Sequence, residues 1–191
     1  MISLDLTRGI PDSMFYAYAP HSKSEGEFVL DDGCIRNCYN EKISDYDYTT
    51  LVLKEKMKLG TRSTVECSFD KYGAPLVVIT DALYEKDGIY RYGEHFEAVA
   101  FRRGCNVWHN TLPDNPTRKK PVISEKLHFE DIPTEDGTRV KLSVEFLKGE
   151  IKVEMNGKAF SVKADVPSEF YLGFTGCEGI NRFYSFTVEN V

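Results

Sequence analysis

The sequence has no long hydrophobic run, no excess of positive charge and no linker-like interior stretch. Because a membrane-spanning helix needs about 20 consecutive apolar residues, the chain contains no candidate span. Its formal net charge of −6 gives no general attraction to phosphate backbones, so neither a membrane nor a nucleic acid is predicted as a partner. No interior segment rich in proline, glycine and serine divides the chain, and we predict one domain over residues 1–191.

The chain lacks a regular cysteine pattern, because its five cysteines are odd in number and irregularly spaced. A structural zinc site needs clustered ligands such as two Cys-x-x-Cys pairs, which the lone spacing of Cys34 and Cys38 does not provide, so no metal is predicted. The amino terminus, residues 1–8, has no basic region followed by an apolar run that would direct export. We therefore expect a cytoplasmic protein whose cysteines are reduced thiols.

Helical periodicity is also scarce, and apolar residues instead recur at every second position. In residues 61–69 the odd positions from 65 onwards are apolar and the even positions are polar or charged, as in a half-buried strand. Residues 140–146 and 151–155 repeat this pattern. Asn156 and Gly157 form the strongest short hairpin signal, because both residues accept the positive φ of a type I′ turn. Three consecutive strands of a meander are therefore predicted.

Residues 51–59 are the one segment whose composition favours a helix. Thr49, Leu51 and Leu53 nevertheless alternate, and Gly60 introduces the next strand, so we predict a strand and keep the helix as the alternative. Repeated turn signals divide the chain into about twelve to fourteen short strands. Because so many strands in one open sheet would curl or split, the sequence predicts an all-β sandwich of two antiparallel sheets.

The carboxy-terminal residues 170–188 place two short, alternating apolar segments around a glycine-rich turn, which predicts a strand pair that closes a sheet. This stretch resembles the terminal strands of concanavalin A-like jelly rolls, the superfamily of lectins, glucanases and laminin-G domains. Residues 72–80, 92–101 and 105–109 resemble its central strands and are broadly similar to bacterial jelly rolls described as glycosyl hydrolases or 3-keto-disaccharide hydrolases. The resemblance implies jelly-roll topology and a carbohydrate ligand, and the superfamily contains both binders and hydrolases.

The resemblance does not extend to a known catalytic motif. The laminarinase-type branch carries Glu-x-Asp-x-x-Glu on one strand, and no such motif occurs here. Glu94 and Glu97 are no substitute, because an odd spacing on a strand points the two carboxylates to opposite faces. Laminin-G-like domains often hold calcium at a rim, but residues 81–87 have too few carboxylates in register, so no cofactor is predicted and calcium stays the alternative.

The predicted hairpin around residues 102–104 carries the candidate ligand site. Apolar side chains at positions 96, 98 and 100 face inwards, and a two-residue turn brings the outward residues of both strands together. A pyranose needs an aromatic plate for its C–H face and hydrogen-bonding partners for its hydroxyls. Trp108, the only Trp of the chain, supplies the plate. The hydrogen-bonding partners beside it are His95, Glu97, Asn106 and Asn110. The alternatives are that Trp108 is a core residue and that His95 bonds to Glu97 on a solvated face.

Further candidates lie outside this hairpin. Glu66, on a neighbouring polar face, is a candidate second carboxylate, and a pair about 5–9 Å apart would permit acid and base roles in glycoside cleavage. The candidate catalytic residues are therefore Glu97, Glu66 and His95. The glycine-rich turn near the carboxy terminus adds candidate sugar contacts at the rim: Glu178, Asn181 and Arg182.

Three classes of function are compatible with these patterns. The preferred one is a carbohydrate-binding module or lectin-like protein, because it needs a Trp-centred polar face on the concave sheet and no catalytic motif. The second is a glycoside hydrolase or lyase acting on small or modified glycosides, and the third is a structural or protein-interaction sandwich. The predicted partner is an oligosaccharide or glycoside, and the sequence does not indicate an oligomeric state.

Overall fold

Two antiparallel sheets pack face to face in the computed structural model, which describes residues 1–18, 27–38, 48–70, 72–86, 89–111 and 124–191. The only helices within these ranges are two 3₁₀ turns, Leu6–Arg8 and Asp12–Met14, which are far too short to cross a membrane. The strands are β1 (Ile2–Asp5), β2 (Phe15–Tyr18), β3 (Phe28–Asp31), β4 (Cys34–Asn37), β5 (Tyr48–Leu53), β6 (Met57–Lys58), β7 (Thr61–Asp70), β8 (Ala74–Thr80), β9 (Leu83–Lys86), β10 (Ile89–Tyr92), β11 (His95–Phe101), β12 (Gly104–Asn110), β13 (Ser124–Asp131), β14 (Val140–Leu147), β15 (Glu150–Met155), β16 (Lys158–Lys163), β17 (Glu169–Cys177) and β18 (Ile180–Asn190).

The strand order defines two sheets of similar size. The front sheet runs β13-β12-β11-β8-β17-β5-β2, with β6 also paired to β17. The back sheet runs β16-β15-β14-β7-β18-β4-β3, with β1 also paired to β18. Strands β9 and β10 form a separate two-stranded hairpin. The predicted all-β jelly-roll sandwich is therefore confirmed.

The core lies between the two sheets and is built from the predicted alternation. Val65 of β7, Val144 of β14 and Val153 of β15 are all buried, and Val144 lies directly opposite Val153 in the β14–β15 ladder. The meander β14-β15-β16 turns at Asn156 and Gly157, which both have positive φ as predicted. The strand preferred for residues 51–59 is also confirmed, because β5 and β6 occupy this segment.

The prediction that the last two strands pair with each other is wrong. β17 and β18 are not a paired hairpin, because β17 lies in the front sheet and β18 in the back sheet. Their apolar faces meet across the core, where the ring centroids of Phe174 and Phe183 are 4.8 Å apart. The connection at Glu178 and Gly179 has positive φ at both residues, and it turns the chain from one sheet to the other. An alternating pattern shows that one face of each strand is buried, but it does not show whether the two strands pair in one sheet or lie in opposite sheets.

The cysteines lie in or beside strands, and all five are among the described residues. No disulfide joins any two of them. Cys67 and Cys105 are fully buried, and burial raises the pKa of both thiols, to about 12 for Cys105. Both thiols are therefore in the uncharged form at neutral pH, as expected of small residues that fill a core.

Candidate functional site

The β11–β12 hairpin has the register that the sequence predicts. Arg102 and Arg103 form the turn, and the ladder then sets Glu97 opposite Trp108 and His95 opposite Asn110. The intervening residues 96, 98 and 100 are buried in the core, so these four side chains leave the front sheet on the face away from it. We call His95, Glu97, Trp108 and Asn110 the polar row.

His95 is the best-anchored member of the polar row. Its Nδ1 lies 2.8 Å from the backbone carbonyl oxygen of Gly93, to which it donates. Its Nε2 lies 2.9 Å from Nδ2 of Asn110 and 3.6 Å from Oε1 of Glu97. The Ser124 hydroxyl in turn donates to Oδ1 of Asn110. Because Asn110 is buried and its amide serves His95 and Ser124, it positions the imidazole rather than facing a ligand.

Two opposing effects determine the protonation of His95. Burial lowers its pKa, whereas the hydrogen bond and negative charge of Glu97 raise it, and the net result is a pKa above that of unperturbed histidine. When Nε2 is neutral it accepts from the Asn110 amide, and when it is protonated it faces the Glu97 carboxylate. His95 and Glu97 thus form a proton-holding pair, with only 10% and 13% of their side chains exposed.

Apolar residues close one flank of the polar row. Tyr92 of the β9–β10 hairpin packs on Val52, Leu76 and Val78, which leave the front sheet on the same face as the polar row. The Tyr92 ring also lies 4.9 Å from the His95 ring. Among the described residues, Tyr92 therefore covers the part of this face over β5 and β8.

An open cavity of about 450 Å³ continues the polar row towards the β11–β12 turn. We call it the turn cavity. Asn106 and Glu178, both predicted as sugar contacts, line it. The Oδ1 atom of Asn106 is buried and accepts no hydrogen bond within the described part of the chain, at a cost of about 1–3 kcal/mol. The cavity also contains residues that sequence reasoning missed: Tyr72, Phe101, Arg102 and Arg103.

The sequence contains the information needed to place one of these missed residues, Phe101, on the ligand-facing side. Phe101 shares its odd position on β11 with His95 and Glu97, so alternation alone assigns it to the same face. Tyr72 reaches the cavity through the β7–β8 turn, which no local pattern connects with β11. Arg102 and Arg103 form the hairpin turn itself, and both are exposed.

The structure corrects the prediction that Glu66 joins Glu97. Glu66 lies on β7 in the back sheet, opposite Lys141, and its Oε1 is 3.7 Å from a guanidinium nitrogen of Arg139. Its neighbours Val65 and Cys67 face the core, so Glu66 leaves the sandwich on the side opposite to the polar row. Strand alternation identifies the outward face of a strand but not the sheet in which that strand lies.

Two of the three predicted rim contacts are also corrected. Asn181 is completely buried, where its backbone N–H donates to Oδ1 of Asn37 and its side-chain amide donates to the carbonyl of Cys177. Arg182 belongs to the back sheet and forms a 2.6 Å ion pair with Asp70. Both residues support the connection between β17 and β18, and Glu178 is the only one of the three that reaches the turn cavity.

Glu97 and Glu178 do not lie at the spacing of a glycosidase carboxylate pair. Glu97 lies opposite Val78 of β8, whereas Glu178 follows Cys177, which lies opposite Ala74 of the same strand. Four residues along a strand span roughly 13 Å, and β11 and β17 flank β8 on opposite sides, two inter-strand spacings or roughly 10 Å apart. The backbones of the two residues are therefore about 16 Å apart, whereas acid and base or nucleophile carboxylates lie ~5–9 Å apart. Within the described residues there is also no cluster of three or more side chains that could hold a metal ion.

The fold is that of concanavalin A-like lectins and glucanases. Neither a protein-family model nor a curated protein matches the chain. Among solved structures, the carbohydrate-binding module CBM66 from Bacillus subtilis is similar at 11% identity and a TM-score of 0.65, over 93% of this chain and 97% of that one.

Two further solved structures extend the comparison. A legume lectin-like domain from Entamoeba histolytica has 14% identity and a TM-score of 0.62, over 100% of this chain and 97% of that one. A Bacteroides ovatus mixed linkage glucan PUL GH16, in complex with a G4G4G3G product, has 7% identity and a TM-score of 0.63, over 98% of this chain and 99% of that one. At these identities the similarity establishes the fold.

Proposed function

We propose that this protein binds oligosaccharides on the front face, with Trp108 as the aromatic platform and Glu97 and Asn106 as hydrogen-bonding partners. The observation that carries the proposal is the register of the central hairpin, which sets a carboxylate directly opposite the only Trp of the chain, on the face away from the core. The shared fold with a carbohydrate-binding module and a lectin-like domain supports it.

The chemistry of the three groups suits a pyranose ring. The apolar C–H face of the sugar stacks on the indole, which removes a large aromatic surface from water. A sugar hydroxyl donates to the Glu97 carboxylate, and a charged acceptor makes this hydrogen bond stronger than a neutral one. Asn106 lies two residues before Trp108 on the same strand face and offers an amide to the next hydroxyl. His95 lies 3.6 Å from the Glu97 carboxylate, and Asn110 holds the His95 ring in place.

Calorimetric titration of the purified protein with a panel of defined oligosaccharides tests the proposal. Each mixture is then analysed for cleavage products. Saturable binding of one or more saccharides, with the saccharide recovered intact, supports a binding protein. Failure of every saccharide to bind contradicts the proposal and leaves the structural or protein-interaction sandwich.

A glycoside hydrolase or lyase is the second candidate, and one observation favours it. His95 and Glu97 form a proton-holding pair in which the pKa of His95 is raised, which is a property of general acid and base residues. If a saccharide of the panel is cleaved, Glu97→Gln should abolish turnover and leave binding largely intact, because the amide keeps the shape but cannot exchange the proton. A lyase would leave a new carbon–carbon double bond in the product, and a hydrolase would not.

A further inference from the structure

The turn cavity is lined by two arginines, and one of them has no charged partner among the described residues. Arg102 and Arg103 contribute two guanidinium groups to its lining, against the single carboxylate of Glu178. Asp136 lies beside Arg102 and adds a second carboxylate near the cavity, so the charge that stands without a partner is that of Arg103. A guanidinium without a partner in the wall of an open cavity is suited to bind a negatively charged group.

The partners of the two arginines differ. Nε of Arg102 lies 3.8 Å from Oδ1 of Asp136, and both side chains are largely exposed, which makes this a weak ion pair. The guanidinium of Arg103 forms no hydrogen bond or ion pair within the described ranges of the chain. Its five N–H donors are therefore available to a ligand, and their planar arrangement matches two oxygens of a carboxylate or sulfate.

The turn cavity is continuous with the proposed saccharide site. Asn106 lines the cavity and lies on the same face of β12 as Trp108, two residues or about 7 Å along the strand. Phe129 of β13 lies opposite Asn106 with 44% of its surface exposed, and its ring centroid is 5.8 Å from that of Phe101. These rings provide a second aromatic surface beside the arginines, where the next sugar of a bound chain would lie.

From this arrangement we infer that the front face selects acidic oligosaccharides, with the carboxylate or sulfate of one sugar bound by Arg103 in the turn cavity. The inference rests on the proposed function, because Trp108 must hold the neighbouring sugar. Arg102 adds positive charge at the cavity mouth. Neutral chains of the same backbone fill the face without this charged contact and bind more weakly.

The test compares two ligands that differ only in the acidic group, a neutral mannan tetrasaccharide and the corresponding mannuronate tetrasaccharide. Both are titrated into the full chain, into Arg103→Ala and into Arg103→Lys. The matched control is Arg8→Ala, which removes the same charge from a side chain that is 88% exposed, next to β1 of the back sheet. Thermal denaturation of each variant confirms that it is folded.

The acidic ligand should bind at least about tenfold more tightly than the neutral one, as expected for one charge-assisted contact. Arg103→Ala should remove about this factor for the acidic ligand and change the affinity for the neutral ligand less than about twofold. For the acidic ligand, Arg103→Lys should lie between the wild type and Arg103→Ala, because lysine keeps the positive charge but loses the paired N–H donors of the guanidinium. Arg8→Ala should change neither affinity. Added salt should weaken the acidic ligand more than the neutral one.

The remaining outcomes separate the inference from the proposed function. Equal affinity for the two ligands, with no effect of Arg103→Ala on either, would overturn the inference and leave saccharide binding intact. Binding of inorganic sulfate as tightly as the acidic tetrasaccharide would also overturn it, because the cavity would then hold a lone anion. If neither these tetrasaccharides nor the wider panel binds, the proposed function fails and the inference fails with it.

Discussion

Glu97 lies directly opposite Trp108 in the β11–β12 ladder, and both side chains leave the front sheet on the face away from the core. Side chains opposite each other on one sheet face lie within about 5.5 Å at their Cβ atoms, so the carboxylate and the indole act as one surface. In the next pair along the same two strands, His95 lies 3.6 Å from the Glu97 carboxylate and is itself held by Asn110. The hairpin therefore sets both the identity and the spacing of the proposed ligand contacts.

The first prediction concerns the proton held by His95. Replacing Glu97 with Gln should lower the pKa of His95, because burial then acts without the opposing carboxylate. The measurement is an NMR titration of the His95 ring. Glu66→Gln is the matched control, since it removes a carboxylate from the opposite sheet and should leave the His95 titration unchanged.

The same pair makes stability depend on pH with a defined sign. A pKa that is raised in the folded state stabilises the protein below the pKa of the unfolded histidine, and this contribution is lost as pH rises through the folded-state value. The difference in free energy of unfolding between the wild type and Glu97→Gln should therefore shrink from about pH 6 upwards. A difference that grows with pH would show that Glu97 does not stabilise protonated His95.

The second prediction concerns the core between the sheets. Val153 is 1% exposed and lies opposite Val144, so Val153→Ala should lower the free energy of unfolding by roughly 1–3 kcal/mol. Lys152→Ala changes the neighbouring residue on the solvent side of the same strand and should stay within about 0.5 kcal/mol of the wild type. Denaturant unfolding measures both, and equal effects of the two changes would contradict the alternation.

Local patterns predicted much of the fold because they report directly on burial. The alternation around Val65, Val144 and Val153 and the turn at Asn156 depend only on residues close in sequence. The register of the central hairpin followed in the same way, because a two-residue turn fixes which residues face each other. These are the parts of the structure for which sequence neighbours are also spatial neighbours.

The errors concern contacts between residues far apart in sequence. Alternation turns Glu66 outwards, but only the pairing of β7 with β14 and β18 assigns it to the back sheet. The glycine-rich sequence around Asn181 is typical of an exposed turn. The residue is nevertheless buried, next to Asn37 of a distant strand, whose Oδ1 accepts its backbone N–H. A bulge beside Phe183 shifts the phase of β18, which strict alternation does not anticipate.

The third prediction concerns thiol reactivity. The thiolate is the reactive form of cysteine, so Cys67 and Cys105, which are buried with raised pKa values, should resist iodoacetamide in the native protein. Cys38 is only partly buried and serves as the internal comparison, and all five should react in urea. Mass spectrometry of the labelled protein gives the count, and rapid native labelling of Cys105 would contradict its position in the core.

The final prediction compares two aromatic truncations on opposite faces of the sandwich. Tyr184 lies on the back sheet, where its hydroxyl bonds to Ser68 and its ring stacks on Arg139, so Tyr184→Ala is the matched control for Trp108→Ala. For each variant, calorimetry with the best-binding oligosaccharide of the panel is paired with a melting curve. The melting curve separates loss of a binding platform from loss of a core residue, which would cost about 3–5 kcal/mol.

Saccharide affinity of Trp108→Ala is the most direct measure of the central claim. The account predicts that Trp108→Ala weakens binding by roughly 1–3 kcal/mol while its melting temperature stays close to that of Tyr184→Ala, which binds like the wild type. Unchanged affinity in folded Trp108→Ala, or a collapse of its stability far below that of Tyr184→Ala, would show that Trp108 is not the platform of a saccharide site.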